Sequence, residues 1–224
     1  MTANVIEALE KIKESGIFDD ELFFVGGTAL SYYINHRISE DIDIVSVKAL
    51  NYKVIVPMIS SLGAVKIQDE NITALRMAGL FPDEYILKFI IADVKLEFFQ
   101  ANRPIQKEIL QAATFSKYKD SKIKILDLKS ICKLKLVALL QRDKSRDLFD
   151  FIAILNNKIL TIEEILDVTL KTSNIKSINE LYTFIKSKKE PLNDETVYLS
   201  EKNSINLLFN QIKSECLLKL ENGH

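Results

Sequence analysis

The sequence predicts an α/β protein in which a small mixed sheet precedes a helical C-terminal region. An apolar strand pattern at 22–25 leads into a double glycine that opens a helix, and a second strand pattern follows at 41–47. Two β-rich runs within residues 85–99 are separated by a short turn, which indicates a hairpin. Beyond residue 127 apolar residues recur at the spacing of amphipathic helices.

The elements of the first region follow from periodicity and from the positions of glycine and proline. In the first helix Val5, Leu9 and Ile12 repeat at helical spacing, and Gly16 ends the pattern. The predicted helices are 3–15, the segment after the double glycine, 50–62 and 104–114. The predicted strands are 22–25, 41–47, 65–67, 73–77, 85–91, 94–99 and 122–126, with a turn at 79–83.

The C-terminal helices are marked by residues that cap helix starts. Asp127 can cap a helix that continues through Leu140, and the next helix holds the run from Arg142 to Asp150. The remaining predicted elements are helices that begin at the capping boxes of Thr161 and Ser177, a loop at 186–194 and a helix at 204–220.

We expect two domains, an N-terminal domain over 1–120 and a helical domain over 121–224, with the active site in a cleft between them. A chain of 224 residues can form one large or two small domains. Residues 1–50 carry nine acidic and four basic side chains, whereas residues 121–160 carry nine basic and four acidic ones. An acidic metal-binding segment and a basic phosphate-binding segment suit nucleotide chemistry, although most charged residues simply form solvated surface.

Several classes of protein are excluded by what the sequence lacks. It has no apolar run of about 18 residues and no basic N-terminal segment before an apolar one, so we expect a cytoplasmic protein without membrane contact. Cys132 and Cys216 lie apart in helical patterns, which argues against a disulfide or a zinc site. His36 and His224 are the only histidines, so a histidine-based catalytic triad is nearly excluded. The chemistry must therefore use carboxylates, lysine, arginine and metal.

Two carboxylates and a double glycine form the strongest functional signal. Asp41 and Asp43 lie one residue apart in a strand pattern, so their side chains share a face and their Cα atoms lie about 6.5 Å apart. This spacing suits carboxylates that share one or two divalent cations. The amides after Gly26 and Gly27 are free donors at the positive end of a helix dipole, which favours phosphate binding. Each signal is common by itself, and only the combination is specific.

Glu97 lies in a strand that is otherwise strongly apolar, and it has two interpretations. It can be an edge-strand charge that pairs with Lys95 or with a neighbouring strand. It can also be a third carboxylate beside Asp41 and Asp43, a role for which Asp93 is the weaker candidate.

Lys135 and Asp150 each lie among apolar neighbours on predicted helices. The ammonium of Lys135 either reaches a nearby surface along its aliphatic stem or points into a site. Asp150 either forms a helix ion pair with Arg146, one turn earlier, or belongs to the same site.

The order of these motifs resembles that of a known enzyme family. The glycine turn, helix, Ser-x-Asp-x-Asp and apolar strand resemble the first motif of the DNA polymerase β-like nucleotidyltransferases. GGTAL at 26–30 followed by HR-x-S-x-D-x-D at 36–43 is similar, in particular, to the AbiEii-type nucleotidyltransferase toxins of bacterial type IV toxin–antitoxin systems. K-x-E at 95–97, K-L-x-A-L at 135–139 and R-x-x-x-R-D-x-x-D at 142–150 resemble later motifs of the same family.

The resemblance implies a polymerase β-like nucleotidyltransferase domain that transfers NMP from an NTP to an acceptor. It implies Mg²⁺ or Mn²⁺ as the cofactor, an RNA acceptor such as the 3′ end of tRNA, growth arrest, and a separate antitoxin as a partner. The implied catalytic residues are Asp41, Asp43, Glu97, Lys135 and Asp150, of which the first three are the metal ligands. The implied nucleotide-binding residues are Gly26, Gly27, Thr28, Ser39, Lys135 and Arg146.

In this scheme Glu97 completes the metal site or accepts the proton of the attacking hydroxyl. Lys135 neutralises charge that develops on the α-phosphate or on the leaving pyrophosphate, with Arg146 as a second cation. Asp150 orients Lys135 or the acceptor.

Two alternatives keep the same fold. One is an antibiotic-type nucleotidyltransferase with a small-molecule acceptor, since the net charge of −1 gives no indication of RNA binding. The other is a nucleotide-binding or partner-binding protein with little turnover, against which the intact DxD argues.

Overall fold

The computed structural model describes residues 1–19, 21–68, 72–192, 197, 199 and 208–221. The chain forms two compact units. The sheet unit comprises Met1–Tyr33 and Ser39–Asp127, and the helical unit comprises Ile34–Ile38 and Leu128–His224. The short segment Ile34–Ile38 therefore belongs to the helical unit, although it precedes most of the sheet unit in the chain.

The sheet unit is built on a mixed sheet whose strand order is β3-β4-β5-β2-β1-β7-β6. Its strands are β1 (Leu22–Val25), β2 (Ile42–Ser46), β3 (Val65–Ile67), β4 (Ile86–Ile91), β5 (Val94–Gln100), β6 (Phe115–Lys117) and β7 (Lys124–Leu126). The helices that accompany them are α1 (Ala3–Ile12), α2 (Gly26–Ile34), α3 (Tyr52–Ser61), α4 (Ile72–Met77) and α5 (Pro104–Ala112). The β2–β5 and β1–β7 pairs are parallel, and the remaining pairs are antiparallel.

Alternation along the central strands separates an apolar face from a face that carries charges. Leu96 and Phe98 of β5 are fully buried, and Phe98 packs edge-to-face on Phe89 of β4 with ring centroids 6.0 Å apart. Each such side chain contributes about 1.5–3 kcal/mol when it is removed from water. The intervening residues Lys95 and Glu97 are only half-buried on the opposite face. One face of these strands thus packs into the apolar core, and the opposite face carries the charged side chains.

The helical unit contains five helices among its described residues. They are α6 (Leu128–Gln141), α7 (Ser145–Asn156), α8 (Ile162–Ser173), α9 (Ile178–Ser187) and α10 (Phe209–Glu221). Helix α6 packs against α7 and α8, and α10 packs against α7 and α9. The predicted capping box of Thr161 is present, with its hydroxyl accepting from the Glu164 amide and the Glu164 carboxylate accepting from the Thr161 amide. None of the helices in the described ranges is long and apolar enough to cross a membrane.

The predicted fold class, a mixed α/β region followed by helices, is confirmed. The predicted hairpin is formed by β4 and β5, and its turn residues Ala92 and Asp93 have φ values of 51° and 60°, the left-handed conformation that such turns require. The prediction of a strand at 73–77 was wrong, because this segment lies in α4. Its Ala, Leu, Arg and Met favour a helix, and a run this short carries no reliable period.

Other differences concern element boundaries. Strand β6 was not predicted, and α7 begins at Ser145 rather than before Arg142. The predicted helix at 204–220 is observed from Phe209 onward, and its first residues lie outside the described part of the chain, as does the end of the predicted loop at 186–194.

Candidate active site

The sheet register brings two of the predicted carboxylates together in the sheet unit. Asp43 of β2 is the Cα partner of Glu97 on β5 and of Val25 on β1. Directly paired residues on neighbouring strands point to the same face, so Asp43 and Glu97 stand side by side. Asp41 immediately precedes β2, and Asp93 lies in the β4–β5 turn rather than on a strand.

Gly26 allows the Asp43 carboxylate to lie against the start of α2. Its φ is +79°, and a Cβ placed on it would overlap the Asp43 side chain. Any other residue at this position would strain the backbone and displace the carboxylate. The double glycine therefore brings a carboxylate and the amides of a helix N-terminus to one place.

Thr28 and Ser39 are buried and hold this turn in position. The Thr28 hydroxyl donates to the Asp41 carbonyl, and its oxygen lies within hydrogen-bond distance, 2.9 Å, of the Ser39 hydroxyl. The first turn of α2 is thereby tied to the segment that leads into β2. Because these two hydroxyls bond within the protein, the groups that α2 offers to a phosphate are its backbone amides.

Glu97 forms an ion pair with Lys95, its neighbour on the same face of β5. The Lys95 Nζ atom lies 3.1 Å from Glu97 Oε2. Burial lowers the pKa of Lys95, but the charge and hydrogen bond of Glu97 and the charges of Asp41 and Asp43 outweigh burial, so the pKa is raised overall. The predicted pairing of Glu97 with Lys95 is confirmed. However, β5 lies between β4 and β2, so Glu97 is not an edge-strand charge as that interpretation assumed.

The donors at this place suit a divalent cation held by few protein ligands. Within the described ranges, no three acidic, histidine or cysteine side chains are grouped closely enough to hold a metal ion. Mg²⁺ commonly takes one or two carboxylates and completes its coordination with water and substrate phosphates. Asp41 and Asp43 fit that role, whereas Glu97 is engaged by Lys95. We call Asp41, Asp43, Glu97 and Lys95 the acidic group.

A second cluster, entirely within the helical unit, surrounds Asp150. This side chain is fully buried on α7, and the Lys135 Nζ atom of α6 lies 2.7 Å from its Oδ2 atom. Arg37 donates to both carboxylate oxygens, at 2.7 and 3.1 Å, and His36 Nε2 lies 2.6 Å from Oδ1. We call His36, Arg37, Lys135 and Asp150 the buried charged group.

The charges of the buried charged group keep Asp150 ionised. Burial alone would raise the pKa of this carboxyl, but the charges of Lys135 and Arg37 and the hydrogen bonds of His36 and Arg37 hold it well below its usual range. An ionised carboxylate can only accept, so the proton of this hydrogen bond is on His36 Nε2. One carboxylate faces two permanent cations, which leaves the group with net positive charge.

The predicted pair Lys135 and Asp150 is thus in direct contact. Arg146 is half-buried one turn before Asp150 on α7. Sequence reasoning missed the roles of His36 and Arg37, which are separated from Asp150 by 114 and 113 residues in the chain. The available signal was the His-Arg dipeptide within the motif that also contains Ser39.

Comparisons with known proteins identify relatives of this chain. The family model "Nucleotidyl transferase AbiEii toxin, Type IV TA system" matches residues 8–218. An uncharacterized protein of Aquifex aeolicus (strain VF5) is 28% identical over 144 residues, which cover 64% of this chain and 62% of the relative. The matched segment therefore spans less than two thirds of that relative's length.

Two solved structures are similar over almost the whole chain. The nucleotidyltransferase toxin MenT4 of Mycobacterium tuberculosis H37Rv has a TM-score of 0.52 and 13% identity, covering 97% of this chain and 79% of its own. A crystal structure from H. pylori, of a protein assigned as a nucleotidyltransferase, has a TM-score of 0.49 and 19% identity, covering 98% and 92%. The similarity to MenT4 confirms the predicted nucleotidyltransferase fold. By the match over residues 8–218, the chain belongs to the nucleotidyl transferase AbiEii toxin family of type IV toxin–antitoxin systems.

Proposed function

We propose that this chain is a metal-dependent nucleotidyltransferase that moves NMP from an NTP to an RNA acceptor such as the 3′ end of tRNA. The observation that carries the proposal is the position of the Asp43 carboxylate, which lies against Gly26 at the start of α2 and beside Glu97. Carboxylates that can bind a cation therefore lie next to backbone amides that can bind phosphate, which supports transfer from an NTP.

In this proposal Asp41 and Asp43 hold Mg²⁺ or Mn²⁺ together with phosphate oxygens of the NTP. The cation supplies Lewis-acid stabilisation of charge on the transferred phosphoryl group when it is bound. The amides of Gly27 and Thr28 donate to phosphate oxygens, since the first amides of a helix have no intrahelical acceptor. Ser39 supports these amides through its contact with the Thr28 hydroxyl.

The buried charged group is proposed to bind the triphosphate or to orient the acceptor. The Lys135 ammonium has three N–H donors, and its contact with Asp150 uses one of them. The remaining donors and the net positive charge of the group suit a polyphosphate anion. Asp150 fixes the Lys135 side chain, and Arg146 provides a second cation on α7.

Glu97 is proposed as the acceptor of the proton from the attacking hydroxyl, or as an additional metal ligand. Either role requires that the Lys95 ammonium shift from its present contact at 3.1 Å. The pair is partly exposed, with 39% of the Lys95 side chain and 19% of the Glu97 side chain accessible, so water can replace the ammonium at low cost.

The biological role proposed from family membership is growth arrest by a toxin that a separate antitoxin opposes. Because NTPs and tRNA are cytoplasmic, we propose that the protein acts there, without a membrane partner.

Label transfer tests the proposed activity. The protein is incubated with total bacterial RNA, Mg²⁺ and each α-labelled NTP in turn, beside Asp41→Ala and the control Asp167→Ala. Asp167 is a surface residue that pairs with Lys171 on α8, so its loss should leave activity unchanged. We expect label in a tRNA-sized band with one or more NTPs, lost only in Asp41→Ala. Absence of labelled RNA with all four NTPs would contradict an RNA acceptor, and equal label in Asp41→Ala would contradict the metal-binding role.

A further inference from the structure

We propose that Lys95 is a built-in counter-ion of the acidic group, which lowers its affinity for a free divalent cation, so that metal binds mainly together with the nucleotide. The inference rests on the proposed function, because it concerns the metal that the transfer reaction uses. In this role Lys95 influences when the metal ion binds, and it does not contact the reacting atoms.

The geometry of β5 places the Lys95 ammonium within this group. Lys95 and Glu97 are two residues apart on one strand and therefore point to the same face, where Nζ and Oε2 are 3.1 Å apart. Asp43 is the Cα partner of Glu97 across the β2–β5 pair and shares that face. The charges of Asp41 and Asp43 both act on Lys95, so a single ammonium interacts with all three carboxylates.

The charge balance indicates what this ammonium does. The ammonium and a divalent cation are both positively charged and are attracted to the same carboxylates. Without Lys95 the three carboxylates would attract a free cation more strongly, because charges a few ångströms apart interact appreciably even at a partly solvated site. The ammonium therefore competes with metal for Glu97 and weakens the field at the two aspartates.

The position of β5 argues against a purely structural explanation of the ion pair. Charged side chains on sheet edges often serve to prevent edge-to-edge association. Lys95 and Glu97 instead lie on a strand that has β4 on one side and β2 on the other. Partly exposed ion pairs also add little to stability, so the pair contributes mainly to the field at the neighbouring aspartates.

Nucleotide binding should offset the effect of Lys95 on the affinity for metal. Phosphate oxygens would supply ligands for Mg²⁺ in place of the Glu97 carboxylate, and they would add negative charge that offsets the ammonium. The metal affinity of the NTP complex should therefore depend on Lys95 much less than that of the free protein does.

Mn²⁺ binding measured by electron paramagnetic resonance, at low ionic strength and without nucleotide or RNA, tests this inference. Wild type is compared with Lys95→Met, Lys95→Arg and Lys88→Met. Lys88 is the matched control, because it lies on β4 as the Cα partner of Glu97 and thus on the same face, whereas the Glu97 carboxylate is paired with Lys95. We expect Lys95→Met to bind Mn²⁺ about tenfold more tightly, and the other two variants to remain within about twofold of wild type. Circular dichroism and the free energy of unfolding check that all variants are folded.

Two further measurements test how Lys95 affects metal binding. In a Glu97→Gln background the gain from Lys95→Met should shrink, because only the effect on the two aspartates remains, and with a non-hydrolysable NTP analogue present it should shrink to about twofold. Unchanged or weaker Mn²⁺ binding by Lys95→Met would overturn the inference, as would an equal gain in Lys88→Met or a gain that is undiminished without Glu97. Because Mn²⁺ binding needs no turnover, a protein that fails to label RNA can still show the tenfold gain, so the failure of the proposed function remains distinguishable.

Discussion

The buried charged group and the acidic group differ in burial and in charge balance. In the buried charged group one carboxylate meets two permanent cations, and no side chain is more than 11% exposed. In the acidic group three carboxylates interact with one ammonium, and the Lys95–Glu97 pair is 39% and 19% exposed. The same kinds of side chain therefore form a buried network in one unit and a partly exposed, carboxylate-rich cluster in the other.

The difference shows that burial determines whether a charged cluster mainly affects stability or mainly affects ligand binding. Removing one partner of a buried network leaves an uncompensated charge away from water, so the network resists change. A partly exposed pair loses little when water or a ligand replaces one partner. The buried charged group should accordingly affect stability most, and the acidic group should affect ligand binding most.

The largest stability effect is expected from Asp150→Ala. This substitution leaves Lys135 and Arg37 buried without their shared carboxylate, and the free energy of unfolding should fall by about 3–5 kcal/mol in urea titrations. Asp167→Ala on α8, which breaks an exposed pair of 3.0 Å, is the control and should cost no more than about 0.5 kcal/mol. Similar losses in both variants would contradict the distinction between the two kinds of ion pair.

Gly26→Ala should disturb the acidic group more than its backbone strain alone predicts. Gly63→Ala serves as the reference, since Gly63 also has a positive φ of +89° but no atom lies within 4 Å of its added Cβ. The Asp43 carboxylate blocks the added Cβ at Gly26, so we expect a further loss of about 2 kcal/mol in unfolding free energy and weaker Mn²⁺ binding. The comparison fails if the two alanine variants are equally stable and bind Mn²⁺ equally.

Lys135→Arg should separate the chemical role of the buried charged group from its structural one. Arginine keeps the positive charge beside Asp150, so the unfolding free energy should change by less than about 1 kcal/mol. Its planar guanidinium cannot reproduce the donor geometry of the ammonium, and labelling of RNA should fall about tenfold. Unchanged labelling would show that Lys135 only neutralises Asp150.

The smallest effect is expected in the dependence of stability on pH in the acid range. The pKa of Asp150 is lower in the folded protein than its ordinary value of 3.8. Its ionisation therefore stabilises the fold fully above that ordinary value, and this stabilisation is lost as the pH falls through the lower, folded-state pKa. The stability difference between wild type and Asp150→Asn should be constant near neutral pH and should shrink below pH 3.8. A difference that grows with acid would refute the assignment.

Local patterns in the sequence were enough to predict most of the sheet unit. Three of these patterns determine the local backbone or side-chain direction within a few residues. They are the apolar run before Gly26, the spacing of Asp41 and Asp43, and the turn at Ala92 and Asp93. Segment 73–77 shows the limit of this approach, because five residues do not distinguish a helix from a strand.

The partners of charged residues were harder to predict than their positions. Alternation placed Lys95 and Glu97 on one face, but only the strand order shows that this face also carries Asp43. Asp150 was assigned to a site through family resemblance, whereas its contacts with His36 and Arg37 depend on a chain segment more than 100 residues away. No periodic pattern carries information about such distant pairs.

The decisive experiment measures RNA labelling and unfolding free energy on the same preparations of wild type and Asp43→Asn. Asparagine preserves the shape of the side chain beside Gly26 but removes the charge that a divalent cation needs. We predict a loss of label of about 10³-fold, with a change in unfolding free energy below about 1 kcal/mol. Full activity in Asp43→Asn would contradict a metal-binding role for this carboxylate, and so would a loss of activity explained by unfolding.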